Sequence, residues 1–426
     1  MPSRHSCLTA AAIAVAAVAL SARASACDPV TRSNIVACAL AQNIEGRSER
    51  EGLAAVDGRR RAAKTLLPSN PTLSVNSGLP IGYGASSSSL TWGVSLAQEV
   101  EIGGQRGRRM DVAGAEHSAQ SRRIVATARA TARGALTAYF DALAARERGA
   151  LANRLGALAQ ALNTYARSRL EVGLVSPVET SVARAEAVRL SQLALEAELR
   201  FEEARARLSS ALGRDPTLAS VEVEGALEPL LLADLPTEQL VSGAIAERAD
   251  AQVANAENEV AQRRAALLRA ARVPNPTFSV YYRKDWFEER VAGIGLSLPL
   301  PLPSPVGRTF AGEIGEADAL ARRASLETHR LRRDVRLEVL RAKLTWDVRK
   351  REHALFTPES ISQAESAIDA IGEALRGQKI PIRDALLSEQ ALVELLLSQI
   401  EARHQLCLAS VELAHAVGFA LERGIQ

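Results

Sequence analysis

The chain has 426 residues, of which 47% are hydrophobic, 24% are charged and only 4% are aromatic. The apolar share excludes a disordered or collagen-like chain, and the shortage of large rings argues against thick globular enzyme cores. The net charge of +3 is near neutral for this length, and arginines are interspersed with carboxylates, which argues against a nucleic-acid-binding surface.

Residues 1–26 have the pattern of a secretory signal peptide. A short basic start is followed by an apolar run over 8–20 and by small residues that end at Ala26. The run is too short to span a bilayer, so we expect cleavage after Ala26 and an exported chain. No later stretch reaches 18 consecutive apolar residues, so we expect any membrane span of the mature chain to be a β-barrel.

The cysteines leave two alternatives open at the start of the mature chain. Cys27 would be its first residue, and Cys38 follows eleven positions later. In an oxidising compartment the two can form a disulfide. Alternatively, Cys27 carries a lipid as in a bacterial lipoprotein, although Ala24 stands where a lipobox usually has leucine. Cys407 follows apolar residues at helical spacing and is expected to be buried.

An internal repeat with a shift of about 205 residues runs through the chain. The landmarks that recur are Asn70-Pro71-Thr72 at 275–277, Leu212-Gly213 at Val417-Gly418, Gly173 at Gly377, and Pro177 at Pro381. Landmarks kept in register over this distance indicate two copies of one structural unit. We predict a first repeat over 27–213, an equatorial linker over 214–236 and a second repeat over 237–426.

Each copy begins with a predicted helix, over 32–66 and 237–271, which ends at a proline-containing landmark. Two alternating segments follow in each copy, and we predict β-hairpins at about 72–99 and 277–300. Alternating segments of eight to ten residues joined by a polar loop are typical of outer-membrane barrels. The aromatic residues near the loop ends, which favour a membrane girdle, are Trp92, Tyr281, Tyr282 and Trp286.

A long helical stretch is predicted after each hairpin. Residues 105–172 contain no proline, and the large residues of 151–165 recur at the alternating spacing of four and three typical of coiled coils. The counterpart over 309–376 is interrupted only at Pro358, where we predict a kink.

Tips rich in glycine and proline, at 173–177 and 377–381, lead into shorter predicted helices over 177–213 and 381–418. A glycine at a helix end takes the left-handed conformation that stops the helix, so we expect it at Gly173 and Gly377. Each half therefore carries a two-stranded hairpin at the end of a helical hairpin. Four strands cannot close a barrel, which needs about eight, so the chain must oligomerise. A dimer and a trimer both satisfy this requirement.

These features, in this order, resemble the TolC-family outer-membrane efflux proteins. The resemblance covers the mature chain through its repeat, its helix-to-Asn-Pro-to-strand transitions and the tip sequence Arg169-Leu-Glu-Val-Gly-Leu-Val-Ser176. It implies a mainly α fold, with a long α-helical barrel, coiled coils and four strands per chain. It also implies a homotrimer with a small twelve-stranded β-barrel in outer-membrane lipid and a large periplasmic portion. The minimal termini resemble the heavy-metal-efflux branch.

The same resemblance implies a passive exit duct of a tripartite RND-type efflux or type I secretion system, coupled to an inner-membrane pump by a periplasmic adaptor. The tip residues where the adaptor would dock are Arg169, Val172, Gly173, Leu174, Val175, Ser176, Gly377, Lys379 and Pro381. Well-known members carry an acidic constriction ring after the second tip glycine. Here Arg383 and Leu386 occupy those positions with Asp384 between them, so the gate candidates are Glu179, Arg383 and Asp384.

Motifs for catalysis, metal binding or phosphate binding are absent from the sequence: the histidines are scattered, and no cysteine pair has metal-ligand spacing. We therefore expect neither an enzyme nor a cofactor. The alternative from another class is a periplasmic coiled-coil adaptor or structural protein that does not enter a membrane. The aromatic residues at both hairpins and the two hairpin-and-helix copies favour the duct.

Overall fold

The computed structural model of the chain describes residues 27–79, 90–217, 221–232, 235–285, 289–302, 305–377 and 379–421. The predicted signal peptide and Trp286 lie outside these residues. The chain divides into two compact units. The helical unit comprises Met1–Arg47, Ala126–Arg248 and Asp334–Gln426, and the strand-bearing unit comprises Ser48–Val125 and Ala249–Arg333.

Helices dominate the described residues, as the composition predicts. In chain order, the elements are α1 Ile35–Gln42, α2 Ile44–Ala63, β1 Thr72–Gly78, β2 Thr91–Glu99, α3 Gln105–Glu171, α4 Pro177–Ala211, α5 Thr237–Glu247, α6 Ala249–Ala270, β3 Thr277–Lys284, β4 Arg290–Ser297, α7 Ala311–His353, α8 Pro358–Arg376 and α9 Ile382–Ala416. Because no proline interrupts it, α3 runs for 67 residues. None of the described helices is long and apolar enough to cross a bilayer.

The predicted kink at Pro358 is instead a complete break between α7 and α8. Proline at the first position of α8 cannot donate a backbone hydrogen bond to the preceding turn, so the helix ends and restarts. The Thr357 hydroxyl accepts a hydrogen bond from the Ser360 backbone amide at 3.2 Å and caps the new helix.

The continuous helix predicted at the start of each copy is also broken, and the two breaks lie 205 residues apart. Asn43 and Arg248 adopt extended backbone, with ψ of 119° and 132°. Against each break lies a left-handed glycine that ends a later helix. A Cβ on Gly213 (φ +70°) would lie 2.9 Å from the Gln42 carbonyl oxygen, and one on Gly418 (φ +80°) would lie 3.0 Å from the Arg248 nitrogen. The repeat thus has the same backbone device in both copies.

The core of the helical unit lies between α3, α4, α8, α9 and the segment before α1. Val30 pairs with Val223 in a parallel bridge, and the buried Tyr139 hydroxyl donates to the Glu224 carbonyl at 2.8 Å. A disulfide joins Cys27 to Cys38, which leaves no thiol on Cys27 for a thioether-linked lipid. Cys407 is fully buried, and burial raises the pKa of its thiol to about 12.

The strand-bearing unit holds an antiparallel sheet in the order β1-β2-β3-β4. Its register aligns Leu73, Leu96, Val280 and Ile294 in one cross-strand row. Because alternate side chains point to opposite faces, this row belongs to a continuous apolar face. The other face is polar or small, and the aligned row Ser74, Ser95, Tyr281 and Gly293 is typical of it.

The aromatic residues of the hairpins do not all share one face. The rings of Trp92 and Tyr282 lie on the apolar face with their centroids 5.6 Å apart. Tyr281 alternates to the polar face, where its ring covers Gly293, at which a Cβ would lie 2.5 Å from the phenolic oxygen. The predicted girdle therefore loses Tyr281, because neighbouring residues of one strand cannot point to the same side.

The left-handed glycines at the helix breaks give a stability prediction. Gly213→Ala and Gly418→Ala should each lower the unfolding free energy by about 1–2 kcal/mol or more, because an L residue is strained at positive φ and its Cβ meets backbone. As the control, Gly149→Ala in α3 should raise it by about 0.5–1 kcal/mol, since a Cβ there meets nothing within 4 Å. Equal effects at all three sites in thermal unfolding followed by circular dichroism would contradict this account.

Candidate functional site

The first tip is a Schellman turn that ends α3. Gly173 has a φ of +69°, its amide donates to the Leu170 carbonyl at 3.0 Å, and the Leu174 amide donates to the Arg169 carbonyl at 3.0 Å. These two bonds satisfy carbonyl groups that the end of α3 would otherwise leave unpaired. The left-handed glycine predicted at this tip is confirmed.

A capping box begins α4 directly after this turn. The Glu179 amide donates to the Ser176 hydroxyl at 3.2 Å, and the Ser176 amide donates to the Glu179 carboxylate at 2.9 Å. The hydrogen bond from the Ser176 backbone lowers the pKa of Glu179. Glu179, a gate candidate, is thus an anion held at the helix N-terminus.

The second tip is built differently, and the left-handed conformation expected at Gly377 is wrong. Gly377 is not in that region, and its amide donates to the Glu373 carbonyl at 2.9 Å, as in a continuing helix. The chain-reversing bond runs from the Lys379 amide to the Ala374 carbonyl at 2.8 Å, so the turn comes later. A Cβ on Gly377 would lie 3.3 Å from the Glu373 carbonyl oxygen and at ordinary contact distance, 3.4 Å, from the Lys379 side chain.

The gate candidates at the second tip lie on the first turn of α9. Arg383 and Asp384 are exposed, whereas Leu386 is only 7% exposed and belongs to the hydrophobic core. Leu386 therefore does not face solvent at the tip within one chain. Of the two positions that the family resemblance assigns to a constriction ring, Arg383 and Leu386, only Arg383 is exposed.

Tyr165 of α3 connects the two tips. Its hydroxyl donates to the Ile380 carbonyl at 2.9 Å, and the Arg169 guanidinium lies 5.4 Å from the centre of its ring. The coiled-coil spacing identified Tyr165 as a core residue, and its ring is only 7% exposed. The bond to the second tip could not be read from that spacing, because it depends on where the turn at 377–381 lies.

Two buried carboxylates lie farther along the helices, and the site analysis from sequence missed them. Glu186 of α4 is 6% exposed and Glu389 of α9 is fully buried. A signal for Glu389 exists in the sequence, since Leu386, Glu389, Val393 and Leu396 follow the spacing of a coiled-coil core, where an apolar residue is expected. Within the described part of the chain, no group of three or more histidine, cysteine, aspartate or glutamate side chains could hold a metal ion.

The link through Tyr165 can be tested by removing one atom. Tyr165→Phe should lower the free energy of unfolding by about 1 kcal/mol, because the second tip loses a tertiary hydrogen bond. It should also speed amide hydrogen exchange in the 377–384 peptide. The matched control is Tyr139→Phe, which should speed exchange in 221–230 instead. Unchanged exchange at 377–384 in Tyr165→Phe would show that the bond does not order the tip.

Known proteins resemble this chain in both sequence and fold. The family described as outer membrane efflux protein matches residues 68–214. No curated protein is significantly similar in sequence. The solved structures that share the fold include the outer-membrane channel OprN, with a TM-score of 0.73, 15% identity, and coverage of 91% of this chain and 90% of OprN.

Two further channels show the same fold. The open state of the Neisseria gonorrhoeae outer-membrane channel MtrE has a TM-score of 0.70, 16% identity, and coverage of 92% of this chain and 90% of its own. The outer membrane protein VceC of Vibrio cholerae has a TM-score of 0.69, 17% identity, and coverage of 90% and 95%. Residues 68–214 thus match the outer membrane efflux protein family, and the chain shares the fold of these outer-membrane channels.

Proposed function

We propose that three copies of this chain form a passive exit duct in the bacterial outer membrane, which opens when a periplasmic adaptor docks at the helix tips. The duct would serve a tripartite efflux pump of the RND type or a type I secretion system, with transport driven at the inner membrane. The observation that carries the proposal is the exposed apolar face of the four-stranded sheet.

That face is too apolar for a surface in water. Leu73, Val75, Leu96 and Leu296 are 46–69% exposed and Ile294 is 86% exposed. A contiguous apolar patch of this kind marks contact with lipid or a partner. The opposite face, with its serines and glycines, suits a water-filled lumen.

The sheet edges supply the argument for oligomerisation. Within the described sheet, β1 and β4 each pair on one side only, and unpaired backbone groups in hydrocarbon cost several kcal/mol each. Three copies joined β4 to β1 would close twelve strands, which is enough for a barrel. A trimer is typical of the outer membrane efflux protein family, which residues 68–214 match.

The helical unit also exposes apolar stripes that a neighbouring copy would cover. On α4, Val188, Leu195 and Leu199 are 60–67% exposed. On α7, the residues of the corresponding stripe are Leu337, Leu340, Leu344 and Val348, which are 43–57% exposed. Their spacings of three, four and seven residues keep each stripe on one face of its helix, as in a helix-packing seam.

The first tip has the features expected of an adaptor-docking surface. Val172 and Leu174 are each 65% exposed and Val178 is 71% exposed, around a turn whose shape the Schellman bonds and the capping box fix. A fixed apolar knob can enter a groove on a partner without losing much conformational freedom. The Lys379 side chain adds a positive charge at the second tip.

Fractionation with crosslinking tests the duct itself. Crosslinked trimers in the outer-membrane fraction are expected, because the sheet needs both lipid and partner strands. Cysteine pairs placed across the predicted β4–β1 junction, such as Leu73→Cys with Ile294→Cys, should crosslink between chains but not within one chain. A soluble periplasmic monomer would instead support the alternative of a coiled-coil adaptor or structural protein.

Charge substitutions at the first tip test adaptor docking. Leu174→Glu should reduce export at least about tenfold while leaving the amount of membrane trimer unchanged, since a carboxylate must be desolvated at an apolar contact. The matched control is Leu231→Glu, at a leucine that is 90% exposed but lies away from the tips. Normal export by Leu174→Glu would show that the adaptor does not use this surface.

A further inference from the structure

The buried glutamates of α4 and α9, Glu186 and Glu389, place two carboxyl groups side by side in the helical core. Glu389 is 0% exposed, and neither of its oxygens accepts a hydrogen bond, although the Arg189 guanidinium lies 3.6 Å away. Glu186 accepts hydrogen bonds from Arg189 at 2.7 Å and from Gln390 of α9 at 3.1 Å. The pair therefore lies on the direct connection between the two helices.

The contact between the two carboxyl groups is favourable when one of them is protonated. Two ionised carboxylates have no donor between them, and a buried carboxylate without donors is costly. A proton on Glu389 removes its charge and supplies an O–H that can donate to Glu186, whose other donors keep it ionised. The arrangement is thus satisfied in one protonation state and repulsive in the other.

The pKa directions agree with this geometry. Burial, followed by the charge of Glu186, raises the pKa of Glu389 from 4.5 to about 7. Burial acts to raise the pKa of Glu186 as well, but its hydrogen bonds from Arg189 and Gln390 lower it overall. The proton therefore belongs on Glu389.

The other helices that pack on this stretch of α9 contribute apolar side chains or charges that are already paired. Ala364 and Ile368 of α8 and Leu162 of α3 belong to the same hydrophobic core as Leu386 and Val393. Farther from the tips, Arg154 of α3 pairs with Asp369 at 3.1 Å and lies 3.9 Å from Glu365 on α8, and the Tyr165 hydroxyl is bonded to Ile380. Glu186 and Arg189 are thus the charged groups that act on Glu389.

We propose that Glu186 and Glu389 form a proton-dependent latch that holds α4 to α9 about two helical turns beyond the tips. Protonated, the pair bridges the two helical hairpins of the chain. Deprotonated, it loosens this junction and favours separation of the hairpins. The consequence for a gate rests on the proposed duct, whereas the latch itself does not.

The sign of the pH dependence follows from the raised pKa. A carboxyl whose pKa is higher in the folded state stabilises that state fully below its unfolded value near 4.5, and this contribution is lost as the pH rises through about 7. The latch should therefore be closed at pH 6 and released at pH 8.

Amide hydrogen exchange on the purified full chain tests the latch directly. After correction for intrinsic rates, peptides covering 183–190 and 386–393 should exchange at least about fivefold faster at pH 8 than at pH 6. Glu389→Gln keeps the shape of the side chain and supplies a permanent N–H donor, so exchange in both peptides should stay slow at pH 6 and at pH 8. Glu186→Gln removes the repulsion and should also abolish the pH response.

The matched control is Glu394→Gln, at an exposed carboxylate on the same helix, which should behave as the wild type. Infrared difference spectra add an independent readout: a protonated-carboxyl band that titrates near pH 7 should be present in the wild type and in Glu394→Gln but absent from Glu389→Gln. Absence of the band from the wild type, or an unchanged pH response in Glu389→Gln, would overturn the proposal.

Conductance in planar bilayers connects the latch to the duct. Wild-type channels should open more often at pH 8 than at pH 6, and Glu389→Gln should lose this dependence. If neither protein conducts at any pH, the proposed duct fails, while the exchange experiment still decides the latch. If both conduct with the same pH dependence, the latch does not control opening.

Discussion

The constraint on which the rest of the structure depends is that the four-stranded sheet is incomplete in one chain. Among the described residues, nothing covers its apolar face, which includes Leu73, Leu96, Val280 and Ile294, and its two outer strands each pair on one side only. Such a sheet is unstable in water and, with open edges, equally so in lipid. In the proposed trimer, partner copies would resolve both problems, because they would supply strands for the edges and leave the apolar face to the hydrocarbon. The exposed stripes on α4 and α7 would then be seams between copies.

The helical unit meets a different requirement, the packing of long helices without large side chains. Alanine fills many buried positions of α3, α4 and α9. Because these side chains are small, the helices fill the core by packing closely rather than with large side chains. The same logic explains the glycines at the helix breaks. Gly213 and Gly418 end helices against the extended residues of earlier ones, where a Cβ would meet backbone. Duplication has kept this device in both copies, whereas the tips have diverged into a Schellman turn at Gly173 and a later turn after Gly377.

Repetition and periodicity in the sequence predicted the mainly helical class, the two hairpins and the first tip, because these depend on local patterns. The breaks at Asn43, Arg248 and Pro358 were missed or underestimated, since helix propensity along the chain does not show what packs against it. The prediction of a left-handed Gly377 was wrong for a related reason, because a glycine can adopt that conformation but need not. Contacts such as Tyr165 with Ile380 join residues 215 apart and depend on three-dimensional packing alone.

The two buried glutamates are the clearest departure from the pattern of a stable helix bundle. A leucine at either position would continue the apolar spacing and pack without the cost of burying a charge, so the carboxylates are not there for stability. A buried polar group in a coiled coil is best understood as a means of fixing register or of switching between states. Here the group is a pair rather than a single residue, and the loss of one proton changes it from a bonded pair into a repulsive one. Since α4 and α9 begin at different tips, a change at this pair acts between the two helical hairpins of the chain.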